Sequence, residues 1–377
     1  MATSRRRRPS VPVTARTSEG RRLARRELLV RSAKMAAGAA LGTLASTVFS
    51  PPGIVTGQSS VLRITGWGGK YGEIHTRDII PKFEAEYKAK VVVDRAFPFE
   101  PKLMASPRNR PIYDVIQSNA PVMWPALDAG YLIRTYTPRE VPNLADCYDY
   151  AYGPHLPGIV AWVSGIGLAY RTDRVSQPPA SWKDLWETRF AGKRGTYVIF
   201  NTLGQALFLM AGRLFGSGEK DLDAAFKAME QLKPIKLVDF TGTMERMLLA
   251  GEVDIGVLHD SGVYRYYDQV PRPPLEWVLP AEGAPALEQT FAVTVGSQVK
   301  ELAFAYIDFI LRPEIQRIMA KALWYGPANK KVRLAAPYEG RVFDTPKRVA
   351  SLVQFDWRWF NRVYADVSRR YTEIMAR

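Results

Sequence analysis

The chain has 377 residues, a net charge of +15, three histidines and one cysteine, Cys147. One cysteine excludes an intrachain disulfide and a cysteine-rich metal or iron–sulfur site, and the length exceeds what one hydrophobic core usually supports. Residues 1–57 hold 11 of the 52 basic and 2 of the 37 acidic residues, so only +6 remains on the rest and nucleic-acid binding is not favoured.

Residues 1–57 predict an export signal. A basic run at residues 5–8 is followed by Arg25 and Arg26 and then by an Ala/Gly-rich, weakly apolar segment at residues 35–48. This segment is too short and too rich in small residues to span a bilayer stably. The order resembles a twin-arginine signal, the kind that bacteria use to export folded proteins. We therefore expect a periplasmic protein, with cleavage near residues 55–57 and no membrane anchor in the mature form.

Residues 61–87 predict a strand, a glycine turn and a helix, with Gly68 and Gly69 in the turn. Glycine allows positive φ and close approach of a ligand to the backbone, and the first N–H groups of a helix lack partners. Trp67 and Tyr71 are expected at the rim, where aromatic rings commonly hold a small polar molecule. The alternative is an ordinary connection whose Trp fills a core.

The following segments predict a parallel α/β unit. Residues 90–94 and 113–118 are apolar strands that complete a β-α-β order. Ser118 and Asn119 lie at the end of the third strand. Because ligands of open parallel sheets lie beyond the carboxyl ends of the strands, these two residues are candidate contacts.

The rest of the chain predicts a crossing strand and a second α/β unit. Residues 159–170, with Trp162 and Ser164, form a long extended run that suits a strand passing between two lobes. A strand at residues 252–260 ends in the polar pair His259 and Asp260. The other predicted elements are strands at 197–199 and 290–295 and helices at 121–129, 181–186, 204–214, 222–232, 244–250, 301–311, 314–322 and beyond 346.

Four segments occur together in the order and spacing of one known family: residues 113–116, 181–193, 249–256 and 305–314. Over residues 61–335 the chain resembles the spermidine/putrescine-type periplasmic solute-binding proteins of ABC importers. The resemblance implies a two-lobed type II periplasmic-binding fold of the α/β class, with a ligand cleft that closes by hinge motion. The implied lobes are residues 58–163 plus 290–312 and residues 164–289 plus 313–377.

The resemblance also implies a function. Such a protein is not an enzyme and needs no cofactor; it captures a small organic solute and, as a monomer, delivers it to an ABC permease and its ATPase. The positions that match ligand contacts of the family are Trp67, Gly68, Gly69, Tyr71, Ser118, Asn119, Trp162, Ser164, His259, Asp260 and Tyr325.

The chain departs from polyamine-binding members of the family. Those carry an acidic residue in the first turn, where this chain has Gly69 and Lys70, and a Trp and an Asp where this chain has Leu287 and Gln289. An ammonium group in a cleft is held by carboxylates and aromatic faces. Because this chain lacks that acidic residue, the Trp and the Asp, a solute of mixed charge is favoured over a long polyamine.

Few counter-charges remain for a cationic group, namely Asp260 and Asp239. The glycine turn instead offers backbone N–H donors, which suit a carboxylate or a phosphate. We expect a polyamine-like solute or one that carries both an amine and a carboxylate.

Two alternatives share the same fold. A cleft enzyme could use His259 and Asp260 as an acid/base pair, although neighbours on a strand point to opposite faces. A ferric-ion-binding protein could use Tyr264, Tyr266 and Tyr267, for which packing is the competing role. A redox enzyme is disfavoured because the chain lacks the cysteine clusters that such enzymes need.

Overall fold

The computed structural model describes residues 60–376, so the export signal predicted at residues 1–57 lies outside the described residues. The strands of the described part are β1 (Val61–Thr65), β2 (Lys90–Asp94), β3 (Val115–Asn119), β4 (Ile159–Arg171), β5 (Arg194–Tyr197), β6 (Lys236–Val238), β7 (Ile255–His259), β8 (Leu275–Val278), β9 (Ala284–Val293), β10 (Gly326–Pro327) and β11 (Leu352–Val353).

The α-helices of the same residues are α1 (Gly69–Ile74), α2 (Ile80–Tyr87), α3 (Glu100–Met104), α4 (Ala120–Asp128), α5 (Thr202–Phe215), α6 (Leu222–Gln231), α7 (Thr241–Ala250), α8 (Asp260–Tyr264), α9 (Lys300–Ile310), α10 (Pro313–Leu323), α11 (Pro346–Val349) and α12 (Trp357–Ala376). A π-helical turn, His75–Ile79, joins α1 to α2. Short 3-10 turns occur at Pro142–Asp146, Asp149–Ala151, Trp182–Trp186 and Thr188–Phe190. None of the helices described here is both long and apolar enough to cross a membrane.

The strands form one sheet in the order β2-β1-β3-β9-β4-β7-β5-β6, with β8 and β10 paired to β4 and β11 to β9. β1 is parallel to β2 and β3, and β5 is parallel to β6 and β7. The β-α-β order predicted for residues 61–118 is therefore confirmed. We call β1–β3 with α1–α4 the first half, and β5–β7 with α5–α8 the second half.

Strand β4 lies in the middle of the sheet, between the strands of the first half and those of the second half. Its residues 159–165 pair with β9, which also pairs with β3, and its residues 166–170 pair with β7. All 13 residues of β4 are buried, as expected for a continuous apolar run covered on both faces. The long strand predicted at residues 159–170 is confirmed.

Two glycines allow aromatic rings to lie directly on β4. A Cβ atom on Gly165 would stand 2.5 Å from Cζ of Phe343, and one on Gly167 would stand 2.6 Å from Cζ2 of Trp277. These rings leave no space for a side chain at either position, so aromatic rings pack closely on the face of β4 that residues 165 and 167 share.

The helices cover both halves, since α4 packs on β3 and β9 and α9 packs on β9, while α5 and α7 pack on β5–β7. Three element predictions need correction. The strand predicted at 252–260 is shorter, and Asp260 is the first residue of α8. The strand predicted at 197–199 lies earlier, at β5, and the one predicted at 290–295 begins at Ala284, because its first residues pair with β4. The short strands β6 and β8 were not predicted.

Candidate functional site

The glycine turn after β1 is tight for two separate reasons. Gly69 has a φ of +58°, in the left-handed region that favours glycine, and Gly68 precedes it as the N-cap of α1. A Cβ atom on Gly72 would lie 2.5 Å from the carbonyl oxygen of Trp67. The turn therefore holds the backbone of Trp67 against the first turn of α1.

Trp67 is half-buried between the glycine turn and β9. Its indole Nε1 donates to Oε1 of Gln289 over 2.6 Å, and its ring centroid lies 5.8 Å from those of Phe97 and Phe99. Phe97 is 48% exposed. The amide of Gln289 therefore fixes the orientation of the Trp67 ring.

A line of polar side chains continues from Trp67 into the second half. Gln289 donates from Nε2 to Oδ1 of Asn119 over 3.5 Å, and Asn119 donates from Nδ2 to Oγ1 of Thr202 over 3.4 Å. Thr202 is the first residue of α5. We call Trp67, Gln289, Asn119 and Thr202 the polar chain; it links the glycine turn, strand β9 and the second half.

The side chains of Ser118 and Asn119 have different surroundings. Neighbouring residues of a strand point to opposite faces, so Asn119 joins the polar chain while the buried Ser118 lies beside the carboxylate of Glu100. Glu100 is itself buried, its Oε1 has no partner, and burial raises its pKa. Sequence reasoning missed Glu100 because nothing in its local pattern marks it as buried.

Three aromatic residues from separate elements meet beside the polar chain. The ring centroid of Tyr71 lies 6.4 Å from that of Trp162 and 6.3 Å from that of Tyr325. We call these three residues the aromatic cluster. Tyr71 is buried rather than at the rim, because its hydroxyl accepts from Nε2 of Gln117 on β3 over 2.5 Å. Trp162 is fully buried and its Nε1 has no partner, which leaves one strong donor free.

Hydroxyl groups and a neutral imidazole adjoin Tyr325. Ser164 on β4 donates to Ser261 over 3.3 Å, and Ser261 Oγ lies 2.7 Å from Nδ1 of His259. The backbone N–H of Gly262 also donates to this Nδ1 over 3.1 Å, which places the ring proton of the neutral imidazole on Nε2. Burial lowers the pKa of His259 to about 4, so the ring is uncharged at neutral pH.

Asp260 is fully buried next to this group. Its Oδ1 accepts from the backbone N–H of Ser261 over 2.7 Å and of Gly165 over 3.3 Å, and its Oδ2 has no partner. Burial raises the pKa of Asp260 to about 7, against the lowering effect of those N–H donors. Asp260 makes no hydrogen bond to His259, so the two do not form an acid/base pair in this arrangement.

A charged pair that sequence reasoning did not single out lies near Tyr325. The guanidinium of Arg265, one-third exposed, pairs with the buried carboxylate of Glu245, which also accepts from the hydroxyl of Tyr266 over 3.0 Å. The charges of Arg265 and Asp260 both act on Tyr325, whose pKa burial raises to about 12. Residues 245 and 265 lie on different elements, and only the fold brings them together. Asp239, by contrast, is exposed.

The three tyrosines considered for ferric binding are each engaged with other side chains. Tyr264 is buried with its ring centroid 6.0 Å from that of Trp277, Tyr266 donates to Glu245, and Tyr267 donates to Glu276. Within residues 60–376, no three His, Cys, Asp or Glu side chains lie close enough together to hold a metal ion. The contacts of the tyrosines favour the packing role.

Comparison with known proteins identifies related chains. Residues 78–344 match the family described as bacterial extracellular solute-binding protein. A gamma-aminobutyric acid-binding protein of Pseudomonas aeruginosa is 24% identical over 233 residues, which cover 58% of this chain and 62% of that relative. The spermidine/putrescine-binding periplasmic protein of Escherichia coli is 25% identical over 158 residues, 41% of this chain and 44% of the relative. The chain thus aligns with less than two thirds of either relative.

The fold has close matches among solved structures. An ABC transporter from Clostridium perfringens superimposes with a TM-score of 0.71 at 23% identity, covering 83% of this chain and 99% of that one. The match extends over nearly the whole of the described residues. It confirms the expected periplasmic-binding fold of the α/β class.

Proposed function

The chain belongs to the bacterial extracellular solute-binding protein family, and from this we propose that it captures a small organic solute between its two halves and delivers it to an ABC importer. The partners would be the permease of that importer and its ATPase. We further propose that the protein is a monomer that acts in the periplasm after twin-arginine export, and that it binds its solute without converting it.

The observation that carries this proposal is the convergence of the aromatic cluster with the polar chain. The polar chain has residues on the glycine turn, β3, β9 and α5, and the aromatic cluster has residues on α1, on β4 and just before β10. A solute held between the two sets would therefore contact both halves at once. The indole Nε1 of Trp162 and the Oδ2 of Asp260 are buried polar atoms without a hydrogen-bond partner. A solute with polar ends would provide those partners.

We propose that the solute carries both a positive and a negative group, as a short amino acid such as gamma-aminobutyric acid does. Tyr325 lies within the influence of two opposite charges, Asp260 and Arg265, which could orient the amine and the carboxylate. Arg265 is well suited to a carboxylate because its planar fork of donors is already held by Glu245. The gamma-aminobutyric acid-binding relative supports this class, and a polyamine remains the alternative.

We propose that the lobes are residues 58–163 plus 290–312 and residues 164–289 plus 313–377. The change of partner along β4, from β9 to β7 after residue 165, supports a boundary near residue 163. Helix α10, at the start of residues 313–377, also packs against α1 and the π-helical turn of the first half.

Thermal melting of residues 58–377 with a solute panel tests the proposal. The panel contains gamma-aminobutyric acid, other amino acids, putrescine, spermidine, opines and phosphorylated small molecules. A solute that binds only the native state stabilises it by RT ln(1 + [L]/Kd), about 2.7 kcal/mol at a hundredfold excess over Kd. We expect the melting temperature to rise with gamma-aminobutyric acid or a close analogue. A rise with spermidine alone would favour the polyamine class, and no rise with any solute would contradict the proposal.

A further inference from the structure

The C-terminal helix α12 contacts the first half through its first two turns. Arg358 binds Asp128 of α4 through two of its three guanidinium nitrogens, with Nε–Oδ2 and Nη2–Oδ1 distances of 3.0 and 2.8 Å. Its guanidinium also lies 5.7 Å from the centroid of the Trp124 ring. Asn361 donates from Nδ2 to the carbonyl oxygen of Pro121 over 2.6 Å. All these contacts fall on one helix, α4.

The remainder of α12 is bound to the second half. Tyr371 is buried, and its hydroxyl donates to the carbonyl oxygen of Tyr197 on β5 over 2.9 Å. The ring of Phe208 on α5 lies 6.4 Å from that of Phe360 and 6.2 Å from that of Tyr371. Arg370 stacks over the ring of Phe226 on α6 at 3.9 Å. The rings of Phe208, Phe360 and Tyr371 are buried in these contacts, whereas the Arg358–Asp128 pair is exposed, so α12 is anchored more firmly on the second half than on α4.

Helix α4 connects the contacts of α12 to the candidate site. Its N-cap residue is Asn119, the member of the polar chain that reaches Thr202 across the two halves. Pro121, which accepts from Asn361, lies two residues further along the same helix. The second half therefore holds α4 at its start, through Thr202, and along its length, through α12. Separation of the halves would have to break both sets of contacts.

We propose that α12 is a strap that favours the closed arrangement of the two halves, and that Arg358 and Asn361 are the residues through which it does so. Contacts that exist only when the halves are closed raise the closed fraction before any solute arrives. A solute that binds the closed form then binds more tightly, because its apparent Kd equals the intrinsic Kd divided by the fraction of competent molecules. The affinity part rests on the proposed function, whereas the effect on closure does not.

The test compares two charge reversals on the same helix. Arg358→Glu places a negative charge opposite Asp128 of the first half. Arg369→Glu is the matched control, since Arg369 is exposed and its ion pairs, with Asp366 and Glu373, stay within α12. Both changes alter the net charge equally and both introduce repulsion. The radius of gyration of the solute-free protein is measured by small-angle X-ray scattering, together with melting temperature and circular dichroism.

We expect Arg358→Glu, and more so its combination with Asn361→Ala, to increase the radius of gyration relative to Arg369→Glu while the helical signal stays the same. With a solute identified by melting, Kd should rise roughly two- to tenfold for Arg358→Glu only. Equal radii of gyration for the two reversals would overturn the strap. An increased radius with no solute found would support the strap and count against the proposed function, so the two failures are distinguishable.

Discussion

The side chain of Trp67 is oriented by a hydrogen bond, because Gln289 accepts from its indole Nε1. We expect Trp67→Ala to weaken solute binding by roughly 2 kcal/mol or more, because a large aromatic contact is lost. Trp67→Phe should have a smaller effect, since it keeps a ring but removes the hydrogen bond. Isothermal titration calorimetry of both variants gives the comparison.

The control for Trp67 is Trp186→Phe, which removes an indole donor in the second half, where Trp186 donates to the carbonyl oxygen of Ala228 over 2.8 Å. This variant should bind like the wild type. Wild-type affinity in Trp67→Ala would remove Trp67 from the site.

Asp260 offers a pH-dependent test of its role. If its carboxylate neutralises the amine of the solute, binding requires the ionised form, and burial gives the free protein a pKa of about 7 at this residue. The affinity should therefore fall as the pH drops below about 7, by roughly tenfold per pH unit at the limit. Asp260→Asn should bind more weakly by roughly 2–5 kcal/mol and lose this slope.

The exposed Asp239 supplies the comparison for Asp260. Asp239→Asn should keep the wild-type affinity and the wild-type dependence on pH. If Asp260→Asn shows the same affinity as wild type at neutral pH, Asp260 is a structural carboxylate that only joins α8 to β4.

Among the elements, the first turn of helix α1 has two glycines, Gly69 and Gly72, that are required for different reasons. Gly69 has positive φ but open space around it, so Gly69→Ala should cost about 1 kcal/mol of stability from backbone conformation alone. In Gly72→Ala, the new Cβ would meet the carbonyl oxygen of Trp67, and overpacking costs roughly 1–3 kcal/mol.

The two glycine variants should also differ in binding. Gly72→Ala pushes on Trp67 itself and is expected to raise Kd, while Gly69→Ala should leave Kd closer to that of the wild type. Urea denaturation measures the stability of each variant, and titration with the solute measures the affinity. Equal Kd values for the two variants would mean that the close approach at Gly72 does not position Trp67.

Elements with a clear period could be predicted from the sequence, and those defined by tertiary pairing could not. The buried run of β4 and the helices α5, α6 and α9 were predicted to within a few residues, because their apolar spacing is regular. β6 and β8 have only three and four residues, too few for a periodic pattern. The same limit applies to the site. Trp67 lies just after β1 and Asn119 is the last residue of β3, whereas Glu245 on α7 and Arg265 at the end of α8 meet only through tertiary packing.

For the whole molecule, the buried carboxylate of Glu288 on β9 predicts how stability depends on pH. Burial raises the pKa of Glu288 to about 7, and neither of its oxygens has a partner. The folded chain therefore keeps a proton that the unfolded chain releases nearer to pH 4.5. This contribution to the free energy of unfolding is greatest at low pH and is lost as the pH rises through about 7. The pKa values of His75 and His259 are lowered by desolvation, so these two residues act in the opposite direction.

Because these groups oppose one another, the test is a difference between variants. From about pH 5 to about pH 8, Glu288→Gln should gain roughly 2–3 kcal/mol of stability relative to the wild type, measured by urea denaturation at each pH. The exposed Glu301→Gln should show no such gain. A constant difference between Glu288→Gln and the wild type across this range would mean that Glu288 does not hold its proton.

The sheet order also determines when the strands can pair during synthesis of the chain. β9 lies between β3 and β4, so the edge of β3 that faces away from β1 has no neighbour until the ribosome has made residues 284–293. An unpaired, apolar strand edge in a nascent chain is a template for aggregation. Export as a folded protein, which residues 1–57 predict, fits this order, since the first half completes its sheet only after three quarters of the chain has been synthesised.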